Sequence, residues 1–353
     1  MPETRPLLER VMERVELRPF TLEGFHDRRD RKRRNQRITA GVVGIAVFVA
    51  AVWAVTTGGS FNRTQQPAVQ PTPTPPAGIA PETAYLIDLN TGEMTPLPKS
   101  IAGGGYAVSP DGTMVAYSSL DDAGTAQVFI ASLDGTDVQQ VTHDQRGAAE
   151  PDWSPDAAAI AYTSGPYMSE DGGVSNIFVV DLATGETSQV THEKPTTLGA
   201  AYPQFAPTGT SIVYVRAVPV PHPADPLAVK ARGSVWGVPV TGGKSVLLVG
   251  GFSATLSPDG STLAVECGQW GGGGICIADA DGTNLRVLVR SRSVEPKWSP
   301  DGTRISYINL EYNPDGGIFV VDVATGETTF VAEGTASPEW LDDHTLLIEP
   351  VPR

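Results

Sequence analysis

From residue 84 onward the chain is a succession of short apolar runs separated by turns rich in Gly, Pro, Asp and Thr. The runs MVAYS, AIAYT, SIVYV, TLAVE, RISYI and TLLIE alternate weakly or are apolar throughout, as strands buried in a sheet are. Each follows one recurring phrase: VSPDG at 108–112, WSPDA at 153–157, FAPTG at 205–209, LSPDG at 256–260 and WSPDG at 298–302, with a worn copy, WLDDH, at 340–344. The steps between copies are 45, 52, 51, 42 and 42 residues. Further runs complete each unit, such as NIFVVDLATG and then TSQVT. The unit therefore reads strand, turn, strand, loop, strand, tight turn, strand. Such a four-stranded antiparallel unit is one propeller blade.

The turn residues have physical reasons. Proline fixes φ at the first corner, the aspartates Asp111, Asp156, Asp259 and Asp301 can bond neighbouring backbone, and glycine tolerates positive φ. These aspartates, and the serines before the prolines, are expected to be structural turn residues because they recur with every blade. Trp153, Phe205 and Trp298 share one repeat position and are expected to pack between blades.

The two ends fix the blade count. Residues 84–97, AYLIDLNTGEMTPL, read as the third and fourth strands of a unit without its first two. Residues 337–351 read as a first and second strand without the rest. Joined, they make a sixth blade and leave no bare sheet edge. The expected fold of residues 82–353 is an all-β, six-bladed β-propeller closed by its N- and C-terminal strands in one blade.

The opening third has a different pattern. Residues 38–55 carry no charge, and at helical rise they span about 27 Å, enough for a bilayer core. Seven Lys or Arg residues stand between Arg28 and Arg37, and a single Arg follows the run. That asymmetry predicts residues 1–37 as a cytoplasmic basic stub, 38–58 as a single transmembrane helix and 59–81 as a Pro/Thr-rich linker, with the propeller extracytoplasmic. An uncleaved signal-anchor is preferred to a cleaved signal peptide because 37 residues precede the apolar run.

Charge narrows the function. Residues 1–60 carry a net charge of +4 and residues 61–353 a net charge of −19. The acidic propeller offers no basic surface to nucleic acid.

The phrase W-S-P-D-G, followed by (I/L)-A-Y and I-(F/W)-V-V-D-x-x-T-G, resembles the WD-like repeat of TolB-family propellers. The resemblance covers the propeller only. It implies six blades and a protein-binding role outside the cytoplasmic membrane. A Tol–Pal role does not follow, because this chain has a membrane segment and a proline tract where TolB has a separate globular domain. The anchor, basic cluster and linker resemble single-pass bacterial proteins of the high-GC Gram-positive class.

No catalytic, cofactor or metal motif stands out: there is no G-x-S-x-G, no H-E-x-x-H and no C-x-x-C. Cys267 and Cys276 lie nine positions apart on consecutive strands. A disulfide formed in an oxidising exterior and two small buried hydrophobes both fit that placement. First strands line a propeller's channel, and Glu150, Tyr202, Phe252, Glu295 and Ser337 are the expected channel-mouth binding residues. The insertions Gly165–Ser175 and Ala217–Gly233 are expected at the rim, where the prolines of the second argue against regular structure. The expected function is a membrane-anchored extracytoplasmic module that binds a protein, peptide or envelope component, without a cofactor and with a possible sensory role. The competing readings are a channel-centred lyase or glycan-active hydrolase, and a structural accessory of a membrane complex.

Overall fold

The computed structural model describes residues 84–165, 173–194, 196–222, 225–268, 273–312, 316–334 and 337–348, with backbone alone for the described residues from 221 to 230. The stub, membrane helix and linker expected from the sequence lie outside the described residues.

The described residues form six four-stranded antiparallel sheets. The chain enters with β1 (Tyr85–Asp88) and β2 (Met94–Pro96). Blade one is β3 (Gly104–Val108), β4 (Met114–Leu120), β5 (Ala126–Ser132) and β6 (Gln139–Gln140). Blade two is β7 (Ala148–Trp153), β8 (Ala159–Ser164), β9 (Asn176–Asp181) and β10 (Thr187–Gln189). Blade three is β11 (Gly199–Phe205), β12 (Ser211–His222), β13 (Asp225–Pro239) and β14 (Val246–Gly250). Blade four is β15 (Ala254–Leu256), β16 (Thr262–Glu266), β17 (Ile275–Asp279) and β18 (Arg286–Val289). Blade five is β19 (Ser293–Trp298), β20 (Arg304–Asn309), β21 (Gly317–Asp322) and β22 (Thr328–Glu333). The last sheet takes β23 (Glu339–Trp340) and β24 (Thr345–Ile348) from the chain's end and pairs β24 with β1, Leu86 opposite Leu347. The two half-blades of the sequence thus form one sheet.

Blades pack face to face, and each of the six interfaces holds its own apolar cluster. Between blades one and two, Ala116 and Val128 meet Trp153, Ile160 and Tyr162. Across the closing interface, Leu347 packs with Tyr106, Val115 and Tyr117. Each buried aliphatic side chain there contributes about 1.5–3 kcal/mol. The indoles add direction. Trp153 Nε1 donates to the Ala107 carbonyl (3.1 Å), Trp298 Nε1 to Thr255 (3.2 Å) and Trp340 Nε1 to Lys297 (3.0 Å), each in the preceding blade.

The Ser-Pro-Asp-Gly turns are small hydrogen-bonded boxes. Ser109 Oγ donates to Asp111 (2.6 Å) and accepts from Met114 N (2.9 Å), while Asp111 also accepts from Thr113 N (3.1 Å). Ser154 and Asp156, Ser257 and Asp259, and Ser299 and Asp301 repeat the donation. Bonds from Ser109 and Thr113 hold the Asp111 carboxyl below its ordinary pKa. The final glycines have φ near 70°, as at Gly112, Gly260 and Gly302, and Ala157 takes the same left-handed conformation at 57°.

One expectation is overturned. The proline-bearing insertion after Ala217 is regular, continuing β12 and β13 as a long hairpin with Pro219 opposite Ala231 and Pro221 opposite Val229. Prolines two residues apart turn their missing N–H groups to the same side. Here that side is the free edge of β12, beyond the reach of β11, where no ladder bond is lost.

Candidate functional site at the channel

The innermost strands of the blades line the channel, and four of them share an irregularity. In β7 the register with β8 shifts between Ala149 and Asp152, so Glu150 and Pro151 together stand opposite Tyr162. The same bulge occurs in β3, β11 and β19. Its first residue is left-handed in each: Gly105 at φ 62°, Glu150 at 56°, Tyr202 at 54° and Glu295 at 53°. A side chain at such a φ costs about 1–2 kcal/mol. Bulges of this kind re-aim side chains beside functional sites.

Counting back from each turn gives two rings around the channel. The first holds Gly105, Glu150, Tyr202, Ser253, Glu295 and Ser337. The second, two residues on, holds Ala107, Asp152, Gln204, Thr255, Lys297 and Glu339. Four of the five channel residues expected from the sequence fall in the first ring. Phe252 does not: it precedes the ring position, which belongs to Ser253, and its backbone N–H instead bonds the Glu266 carbonyl (3.4 Å). Blades two, three, five and six mark this register with a proline after the ring residue, whereas blade four has Ala254 there and blade one Tyr106.

Neighbouring blades bond through these residues. Glu150 Oε2 accepts from Thr163 Oγ1 (2.8 Å) and from the Tyr202 backbone N–H of the next blade (2.9 Å). Ser118 Oγ of blade one accepts from Glu150 N (3.2 Å). In the second ring, Asp152 Oδ2 accepts from Phe205 N (2.7 Å), and Gln204 Nε2 donates to Thr255 Oγ1 (2.7 Å). Lys297 Nζ forms an ion pair with Glu339.

Electrostatically the channel is acidic. Burial raises the Glu150 pKa, and the Glu295 charge adds to it against the bonds from Tyr202 and Thr163. Burial likewise raises Glu295 and pushes Asp152 up to about 7. Burial works against the Lys297 ammonium, but Glu339, Asp152 and Glu295 outweigh it and raise its pKa. Glu266, at the end of β16, is a further carboxyl held above its ordinary range. It is 2% exposed, and burial followed by the Glu295 charge pushes its pKa to about 8. The sequence reading passed over Asp152, Glu266, Lys297 and Glu339. The two-residue step from Glu150 and Glu295 points to the ring members. A glutamate where other blades have Ser118 or Thr163 points to Glu266. Among the described residues, no three His, Cys, Asp or Glu side chains converge as metal ligands do.

The remaining singled-out residues lie away from the rings. Cys267 and Cys276 are joined as a disulfide between the end of β16 and β17. The turn aspartates stand at the other end of the inner strands from the bulges, in the boxes described above.

Comparison with known proteins agrees with this architecture. Residues 80–220 match the TolB beta propeller domain family. A 71-residue stretch is 35% identical to the Tol-Pal system protein TolB of Alcanivorax borkumensis, covering 19% of this chain and 16% of that protein. The match thus spans under a fifth of its curated relative. Among solved structures, TolB from Acinetobacter baumannii is similar with a TM-score of 0.51 and 21% identity, over 64% of this chain and 55% of that one. An oligogalacturonate lyase in complex with manganese has a TM-score of 0.50 and 20% identity, over 70% and 71%. At these identities the likeness is one of fold.

Proposed function

We propose, for a chain that carries a TolB-type six-bladed β-propeller segment, that it is a membrane-anchored, extracytoplasmic binding module. Its bulged channel end grips a protein, peptide or envelope component. The observation that carries this reading is the bulge itself. Glu150, Tyr202 and Glu295 are held left-handed at equivalent positions. Backbone cost repeated blade after blade at one end of a channel is an arrangement for presenting side chains to a ligand, since packing alone would favour an unbroken strand. The β12–β13 hairpin projects from the same end and supplies a rim. The propeller's charge supports a partner other than nucleic acid.

The anchored, outward topology rests on the sequence: an uncharged 18-residue run with its basic flank on the amino-terminal side. The relatives bear the name of the Tol-Pal system, but a match this short gives no ground for assigning that partner here.

The test is chemical crosslinking in the native membrane followed by identification of what is attached. A defined protein or envelope component recovered from wild-type cells is the expected result. Recovery of nothing, together with turnover of a small-molecule substrate by the purified protein, would replace the binding reading with an enzymatic one.

A further inference from the structure

We infer that the outward edge of β13, on the hairpin beyond blade three, takes an extended acidic strand of a partner protein by continuing the sheet. This inference rests on the binding reading above, since the hairpin stands at the bulged end of the propeller, and it names the chemistry of the partner and the backbone that holds it.

The first observation is the direction of the hairpin's backbone groups. Ala217 and Gly233 stand opposite each other where the hairpin leaves the blade. The Ala217 carbonyl faces away from β13 and accepts from Leu198 N (2.8 Å), and the Gly233 carbonyl faces away from β12 and accepts from Gly251 N (3.3 Å). Inward and outward pairs alternate along an antiparallel ladder. Val218 with Arg232 and Val220 with Lys230 therefore carry the ladder, while Pro219, Pro221, Ala231 and Val229 turn their backbone groups outward. The prolines agree with this register, since neither has an N–H for the ladder.

The second observation is that the two edges are unequal. On β12 the outward positions are prolines, which offer a further strand no donor. On β13 they are Ala231 and Val229, each with an N–H and a C=O. Among the described residues no strand covers this stretch: β14 pairs with β13 only as far as Gly250 opposite Ser234. There the chain turns into blade four through a close passage. A side chain at Gly251 would meet Val265 Cγ1 at 2.3 Å, and one at Gly233 would meet the Gly251 carbonyl at 2.4 Å. The alternating donors and acceptors of an open edge are matched in full by another extended chain.

The third observation is charge. Lys230 and Arg232 alternate with the outward positions of β13, and Arg232 is exposed, in a stretch of chain whose net charge is −19. These cations argue against a second copy of this chain. Antiparallel self-pairing centred on Lys230 or Ala231 would set Lys230 opposite another Lys230 or opposite Arg232, and like charges directly opposite destabilise a sheet. A strand with carboxylates two residues apart reverses the sign and meets both cations.

The experiment follows the fluorescence anisotropy of labelled peptides titrated with the full-length protein in detergent. The probes are the peptide Thr-Val-Glu-Val-Glu-Val-Thr and the same peptide with both glutamates replaced by lysine. The acidic peptide is expected to bind, and the lysine peptide to bind at least about tenfold more weakly. Val229→Pro and Ala231→Pro each delete one outward donor and leave the ladder to β12 in place, and each should weaken the acidic peptide about tenfold. Lys230→Glu combined with Arg232→Glu should reverse the order of the two peptides. Melting curves of the variants separate lost binding from lost folding, and the charge reversal carries the test if a proline variant does not fold. No binding of the acidic peptide, equal binding of the two peptides, or undiminished binding by both folded proline variants would overturn the inference. If the proline variants still crosslink the native partner at wild-type yield, the edge site fails while the binding reading stands. If wild type crosslinks nothing, the binding reading itself fails.

Discussion

Replacing Glu266 with glutamine should stabilise the propeller, and more so as pH rises. The Glu266 pKa rises from 4.5 to about 8 in the fold, burial being the largest cause and the Glu295 charge the next. Between those values the folded protein keeps a proton that the unfolded chain has released. Stability contributed by this group is therefore fully present below about pH 4.5. It is lost at about 1.4 kcal/mol per pH unit as pH rises towards about 8. Because Glu266 and Glu295 repel each other, part of the cost belongs to the pair, and about 2–3 kcal/mol at pH 7 is the share assigned to Glu266. Glutamine keeps the shape and carries no charge. Glu266→Gln should raise the melting temperature by roughly 5–10 °C at pH 7 and by under about 3 °C at pH 5. Asp152, pushed up to about 7, acts with the same sign, so the wild type should lose stability steadily from pH 5 to pH 8. Calorimetric melts of both proteins at pH 5, 6, 7 and 8 test this. A stability difference that is constant across pH, or a wild type that gains stability towards pH 8, would refute the electrostatic reasoning.

Three further outcomes are expected. Ala157 stands at φ 57° where the equivalent turns have glycine, so Ala157→Gly should raise stability by about 0.5–1 kcal/mol in denaturant titration. The Cys267–Cys276 bridge closes a short loop, so Cys267→Ser with Cys276→Ser should cost about 2–3 kcal/mol, and peptide mapping without reductant should recover the linked pair. Protease added to intact cells should cut within residues 59–81 and spare residues 1–37; cleavage of the stub in sealed cells would reverse the topology.

The parts of the fold that repeat were readable from the chain, because a turn such as Ser257-Pro258-Asp259-Gly260 needs particular residues at fixed offsets. The closing sheet was readable as well, since residues 84–97 and 337–351 are complementary fragments of one unit. The channel was readable only in part. The bulge at Glu150, Tyr202 and Glu295 inserts a residue into the strand, so simple alternation loses its face there. In blade four no proline follows Ser253, and the neighbouring Phe252 takes its place in a count by sequence. Glu266 sits within the apolar run TLAVE, where comparison with Ser118, Thr163, Val215 and Ile308 in other blades sets the charge apart, and only TLLIE, with Glu349, shares it. The hairpin beyond Ala217 was hidden for the opposite reason. Its prolines read as breaks because the free edge they face exists only after the blade has formed.

The central claim is that the bulged end of the channel, and not the turn end, holds the partner. Site-specific photocrosslinking in living cells tests it directly, with a benzophenone amino acid placed at Tyr202 in one strain and at Asp259 in another. A discrete crosslinked species from position 202, and none from position 259, is the result this account predicts. Crosslinking from position 259 with none from position 202 would contradict it.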